Sequence, residues 1–297
     1  MIRHMVCSGA GPNGLVQMGV IQEYIREGLL DVQKIDKFYG CSAGAMIGFM
    51  LLLNIPLDEP VEYIIGRPWY KFAKIDLTVI HDKGGMFECE KVKEMLEPLL
   101  LAHDIPFDIT FRQASQNSAI DLHVFATDVD TFESVDFCLE NTPDMPLTTA
   151  IMLSSAIPPF FCAGAYQGKT YIDGGFSTNF PLSALMESKC KPDPATVLGI
   201  NMVSPKEVFL HEWNLMQRFM YILIKVVNQI GKYDLNKGYG ERLCDHYVPF
   251  QGCNIFSKEI WNTFLYSAEG RRASYESGVQ LGRESILRWR AKANVVE

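Results

Sequence analysis

Hydrophobic and polar positions follow two periods that take turns along the chain. Short apolar runs at His4 to Ser8, Lys37 to Tyr39, Ile120 to Thr127 and Thr196 to Met202 predict buried strands. Phe132 to Leu139 alternates, which predicts a strand with one exposed face. Between these runs the spacing is helical. Leu15 to Glu27 places Val16, Val20, Ile21, Tyr24 and Ile25 at helical intervals, and Gly28 marks its end. Ala45 to Leu53, Asp58 to Tyr70, Glu88 to Glu97, Leu147 to Ala156 and Pro181 to Glu187 read as further helices. Pro98 is expected to end or kink the helix before it. Ile75 to Gly85 reads as irregular, and Gln167-Gly168 as the turn of a hairpin between Ala163 and Ile172. Strands and helices thus alternate, which predicts an α/β fold: a mainly parallel or mixed sheet with helices on both faces.

After Pro205 the character changes. Phe209 to Ile230 carries an apolar stripe at Phe209, Trp213, Met216, Met220, Leu223, Val227 and Ile230, opposite His211, Asn214, Arg218, Lys225 and Gln229. That spacing predicts an amphipathic helix, either core-packing, a lid or a membrane-surface element. Ala268 to Lys292 predicts a second long helix, locally basic, whose arginines form a solvated face or meet anionic headgroups. Residues 1–205 are therefore expected to form one α/β core. Residues 206–297 are expected to be mostly helical, packed on that core or facing a membrane.

Composition narrows the classes. Of 297 residues, 48% are hydrophobic and 21% charged, which suits a globular protein with a sizeable core. A net charge of -8 leaves no basic excess to neutralise phosphates and argues against a nucleic-acid partner. The eight scattered cysteines form no C-x-x-C pair and read as reduced, mostly buried thiols. The uncharged window from Phe38 to Leu57 holds three glycines, Asn54 and Pro56, so it reads as strand, turn and buried helix rather than a membrane span. With no signal peptide visible at Met1 to Cys7, a cytoplasmic location is expected, which leaves peripheral membrane contact open.

Three motifs carry candidate chemistry. Gly40-Cys41-Ser42-Ala43-Gly44 is a G-x-S-x-G turn between a predicted strand and a predicted helix, an arrangement that exposes a serine hydroxyl. Gly9-Ala10-Gly11-Pro12-Asn13-Gly14 is a G-x-G-x-x-G loop between the first strand and first helix. Its N–H groups suit a negative oxygen, either the pyrophosphate of a dinucleotide or the oxyanion of a reaction at Ser42. A dinucleotide site would need an acidic residue after the second strand; Asp31 and Asp36 both precede it. The third motif is Asp173-Gly174-Gly175, by itself a turn signal. No metal constellation is visible, since the six histidines are scattered without supporting cysteines.

These three motifs, in this order, resemble the patatin-like phospholipase family, as do Ala126-Thr127-Asp128 and the Ser-Ala-Ile-Pro-Pro-Phe-Phe run ending at Phe161. The resemblance covers about Met5 to Met202. It implies a three-layer α/β/α fold and a lipid acyl hydrolase that works without calcium or any cofactor on phospholipids or other fatty acyl esters. It also implies a Ser–Asp dyad, with Ser42 as nucleophile and Asp173 as general base. Gly9, Ala10, Gly11 and Ala43 would supply the oxyanion hole, with Gly14, Gly40, Gly44, Gly174 and Gly175 shaping the turns. The chain departs from the family at Ala10, where a glycine is usual, and at Asn13, where a basic residue is usual. Two rival readings stand beside it. One is an α/β-hydrolase triad completed by His211 or His246. The other is a lipid-binding or interaction module on a hydrolase scaffold.

Overall fold

In the computed structural model, residues 1–72, 77–203, 218–219, 221–222, 225, 244–253 and 258–296 are described. An eight-stranded mixed sheet lies at the centre. Its parallel part runs β3 (Asp121–Asp128), β2 (Lys37–Cys41), β1 (His4–Cys7), β7 (Val197–Val203) and β8 (His246–Gln251). The antiparallel part is β4 (Ser134–Phe137), paired to β3, and the hairpin of β5 (Gly164–Tyr166) and β6 (Lys169–Asp173).

Strand alternation splits the core in two. Met5, Cys7, Phe38, Leu122, Val124 and Ala126 join the main core. This core also takes in α1 (Gly14–Arg26), α2 (Ala43–Leu52) and α8 (Leu147–Ser154). Val6, Tyr39 and Phe125 point the other way and pack on Leu182 and Leu185 of α9 (Leu182–Met186). Helices thus cover both faces of the sheet, the α/β/α layering that strand and helix alternation implied.

Four stretches differ from the sequence-based expectation. Leu77–Lys83 is a helix, α5, too short for its period to show. The helix α6 (Lys91–Ala102) continues past Pro98 rather than ending there, because Leu99 and Leu100 beyond it are buried with Val92 and Leu96. That burial offsets the roughly 3 kcal/mol an internal proline costs. His246 to Gln251 forms a strand despite Pro249, which is tolerated because β8 lies at the sheet edge. Lys258–Tyr266 forms α10, which was not anticipated. The amphipathic helix expected at 209–230 falls almost entirely outside the described residues.

The last helix, α11 (Ala268–Val296), packs along α1. Glycines let the two backbones touch. A Cβ on Gly278 would stand 2.1 Å from the Val16 carbonyl oxygen, and one on Gly19 would stand 2.3 Å from the Tyr275 carbonyl oxygen. Gly278→Ala is therefore expected to force the helices apart and cost about 1–3 kcal/mol. Urea denaturation beside a Ser277→Ala control checks this. The basic residues of α11 are largely used within the chain. Arg271 is buried and donates to the Ile65 and Arg67 carbonyls, closing the end of α3 (Asp58–Gly66). Arg272, Arg283 and Arg290 pair with Glu62, Glu23 and Glu27. Among the described residues, no helix is long and apolar enough to cross a membrane.

Candidate active site

β2 ends at Cys41 and α2 begins at Ala43, so Ser42 alone makes the turn. Its φ of 51° and ψ of -119° are a conformation that residues with a side chain rarely adopt. Two glycines make room for the turn. A Cβ on Gly44 would lie 2.3 Å from the Cys7 carbonyl oxygen, and one on Gly40 would lie 2.7 Å from the Ala45 nitrogen. The Ser42 N–H donates to Ser154 Oγ at 2.9 Å, and Ser154 Oγ donates to the Phe125 carbonyl at 2.5 Å. The serine is thereby held between the elbow, α8 and β3.

Sheet register explains how Asp173 reaches this point from far along the chain. β4 occupies one edge of β3 from Val124 to Thr127. On the other edge, β2 pairs with β3 only up to Phe125, opposite Cys41, and β6 takes over at Ala126, opposite Asp173. β6 therefore continues the line of β2 past its end, and its last residue abuts Ser42. Asp173 Oδ1 accepts the Gly175 N–H at 2.7 Å and faces Cys41 Sγ at 3.8 Å. The neighbouring Ser42 hydroxyl, the Gly175 N–H and the Cys41 thiol all favour the ionised form of this carboxyl. Burial outweighs these groups and pushes the Asp173 pKa up to about 6. A carboxylate with that pKa is a far better base at neutral pH than an exposed aspartate.

The glycine loop stands against the elbow. A Cβ on Gly9 would be 3.4 Å from Ser42 Cβ, and one on Gly14 would be 3.1 Å from Ala43 Cβ. Gly11 has φ +51°, which suits glycine. The Gly9 N–H is already donated to the Asn179 carbonyl at 3.1 Å. That corrects the sequence-based donor set: Gly9 shapes the loop, and the N–H groups of Ala10, Gly11 and Ala43 are left as candidates to meet an oxyanion. His246 belongs to the register row of Leu198, Met5 and Phe38, three strands from β2 and so about 14 Å away by strand spacing. Its ring packs between Tyr24 and Trp289, and burial lowers its pKa to about 4. It cannot serve Ser42. His211 lies outside the described residues.

A profile of the patatin-like phospholipases matches residues 5–186, well over half of the chain. The chain belongs to the patatin-like phospholipase family. That is a family of lipid hydrolases, and the three sequence motifs, the elbow and the Asp173 turn all fall within the matched span. The chain is 28% identical over 243 residues to "Probable lipid hydrolase 463L" of Invertebrate iridescent virus 6, covering 78% of this chain and 79% of that one. It is 24% identical over 185 residues to "Uncharacterized protein R571" of Acanthamoeba polyphaga mimivirus, covering 61% of each. Among solved structures it resembles VipD from Legionella pneumophila, with a TM-score of 0.57 at 16% identity. That match takes in 96% of this chain and 66% of VipD, and it concerns the fold alone.

Within this patatin-like frame the departure at Asn13 has a structural account. Asn13 is 5% exposed. Its amide donates to the Ala10 carbonyl at 3.2 Å and the Cys253 carbonyl at 3.1 Å, and its oxygen accepts the Cys253 N–H at 3.1 Å. A neutral clamp thus ties the glycine loop to the chain after β8. Asn13→Ala is expected to lower kcat roughly 10- to 100-fold with KM little changed, since a loop displaced by an ångström costs about that much. Asn13→Lys is expected not to restore it, because the lysine would bury an unpaired charge. Steady-state kinetics of both variants check this. Ser154 and Asn179 are site residues that the sequence did not single out. Asn179 Oδ1 sits between the two glycine turns, where it would meet a Cβ on Gly9 at 2.5 Å or on Gly175 at 3.0 Å. Ser154 was legible only as one of several small residues in a helix.

Proposed function

We propose that the protein is a serine-dependent lipid acyl hydrolase, of phospholipase A or lysophospholipase type, that cleaves fatty acyl esters through a Ser42–Asp173 dyad. The observation that carries this reading is the meeting of two strand ends: a strained serine turn faces a fully buried carboxyl whose pKa is raised to about 6. Asp173 takes the Ser42 proton as Oγ attacks the ester carbonyl. The tetrahedral oxyanion is met by the N–H groups of Ala10, Gly11 and Ala43, with the N-terminal dipole of α2 behind them. Collapse expels the alcohol, which takes the proton back from Asp173 and leaves an acyl-Ser42 ester. Water, deprotonated by the same carboxylate, then releases the fatty acid.

The test is labelling with a fluorophosphonate probe. The wild-type protein is expected to form one covalent adduct on Ser42, and Ser42→Ala none. An unlabelled wild-type protein would favour a lipid-binding module, and a label retained by Ser42→Ala would place the nucleophile elsewhere.

A further inference from the structure

A second cluster, on the α9 face of the sheet, plays no part in this reaction. Register aligns Lys37 and Tyr39 of β2 with Asp121 and His123 of β3. On the other side of β3, Asp136 of β4 stands opposite Phe125, so that Cys138, two residues on, falls beside His123. Residues in register share a face, which sets all six side chains in one patch across three strands. Tyr39 stacks on the His123 ring at 4.0 Å. His123 Nδ1 lies 2.7 Å from Asp136 Oδ2, and Nε2 lies 3.2 Å from Asp121 Oδ2, which also binds Lys37 Nζ at 2.5 Å. A ring nitrogen of His123, a carboxylate oxygen of Asp136 and the Cys138 sulfur all lie within 4.8 Å of one another. His123 is 7% exposed and Cys138 1%. Asp136 Oδ1 is buried with no hydrogen-bond partner among the described residues.

We propose that His123, Asp136 and Cys138 form a site for one zinc-class divalent ion. The donor set is one imidazole, one thiolate and one carboxylate, which suits zinc and its neighbours rather than calcium or magnesium. Charge balances: a thiolate and a carboxylate offset the ion, while Lys37 offsets Asp121. Asp121 stands on the other ring nitrogen of His123, where an outer carboxylate fixes the tautomer of a ligating histidine. The unpartnered Asp136 oxygen gains a partner. The site lies toward the start of β3, whereas Asp173 meets the far end of that strand at Ala126, so the ion's role is structural. It clamps the four-residue strand β4, which pairs only with β3 among the described residues. A sequence scan misses the site because the ligands are spaced by twelve residues and then one.

The experiment uses the full chain, stripped with chelator and titrated with Co(II) and then Zn(II). The wild-type protein is expected to bind one equivalent, with a thiolate-to-cobalt charge-transfer band and a rise in Tm on adding zinc. Cys138→Ser is expected to lose the band, and Asp136→Asn, which removes a ligand, to weaken zinc binding by more than the roughly 100-fold that loss of an outer partner costs. Cys190→Ser, at an exposed cysteine far from the glycine loop, is expected to behave as wild type. Ser42 labelling by the fluorophosphonate, retained in all variants, reports that each is folded. The proposal is overturned if the wild-type protein binds no ion at micromolar free zinc. It is equally overturned if Cys138→Ser and Asp136→Asn both bind zinc as tightly as wild type, leaving His123 as a protonated bridge between two aspartates.

Discussion

Ser42→Ala is expected to fold like the wild-type protein and to lose ester hydrolysis by on the order of 10⁴-fold or more. The size follows from the role: the other nucleophile of the elbow, Cys41, is fully buried and burial holds its thiol pKa well above the ordinary value, so what remains is catalysis by binding and the oxyanion loop. The intact fold follows from the backbone. Alanine adopts the φ of 51° no worse than serine, and the hydrogen bond from the residue 42 N–H to Ser154 involves no side-chain atom of Ser42. Hydrolysis of an aryl ester and of a phospholipid, measured beside Tm, separates the two effects. A variant with wild-type turnover refutes the dyad. A variant that loses both turnover and Tm shows that Ser42 is a structural element of the turn.

Much of this arrangement is legible in the sequence, because local rules fix it. A serine flanked by glycines at a strand-to-helix turn needs those glycines for close approach, and Gly40 and Gly44 prove to be packed against Ala45 and Cys7. The alternation of apolar runs with helical periods set the α/β class. What could not be read is what depends on register. That Asp173 meets Ser42, which in the sequence only the family resemblance implied, follows from β6 taking over an edge that β2 vacates at Phe125, a long-range fact with no local signature. The same holds for Asn13, which looked like a missing cation and is instead a clamp on Cys253, 240 residues away. β8 was hidden by Pro249, whose tolerance depends on an edge position that only the assembled sheet defines. Pro98 shows the converse: the helix does not stop at a proline where burial of Leu99 and Leu100 carries it onward.

Asp173→Asn is expected to abolish turnover about as completely as the serine variant, and its wild-type counterpart should reveal itself in a pH profile. The reaction needs the carboxylate form. Burial raises the Asp173 pKa to about 6, so kcat/KM is expected to be flat above pH 7 and to fall tenfold per pH unit well below 6. A midpoint near 4 would mean that the carboxyl is solvated during turnover and would remove the basis for its strength as a base. Stability moves in the opposite direction. A carboxyl whose folded pKa lies above its unfolded value binds its proton more tightly in the native state, so its contribution to stability is present below pH 4 and lost as pH rises through 6. From the ordinary 3.8 to about 6 this amounts to about 3 kcal/mol, the order of magnitude that holding a buried charge costs at neutral pH. Asparagine keeps the shape and an oxygen for the Gly175 N–H but carries no charge. Asp173→Asn should therefore be inactive yet at least as stable as wild type at pH 7.5, with the difference vanishing near pH 4. Urea unfolding at the two pH values tests this, and an inactive variant that is also destabilised at pH 7.5 would assign Asp173 to the architecture of the turn rather than to the chemistry.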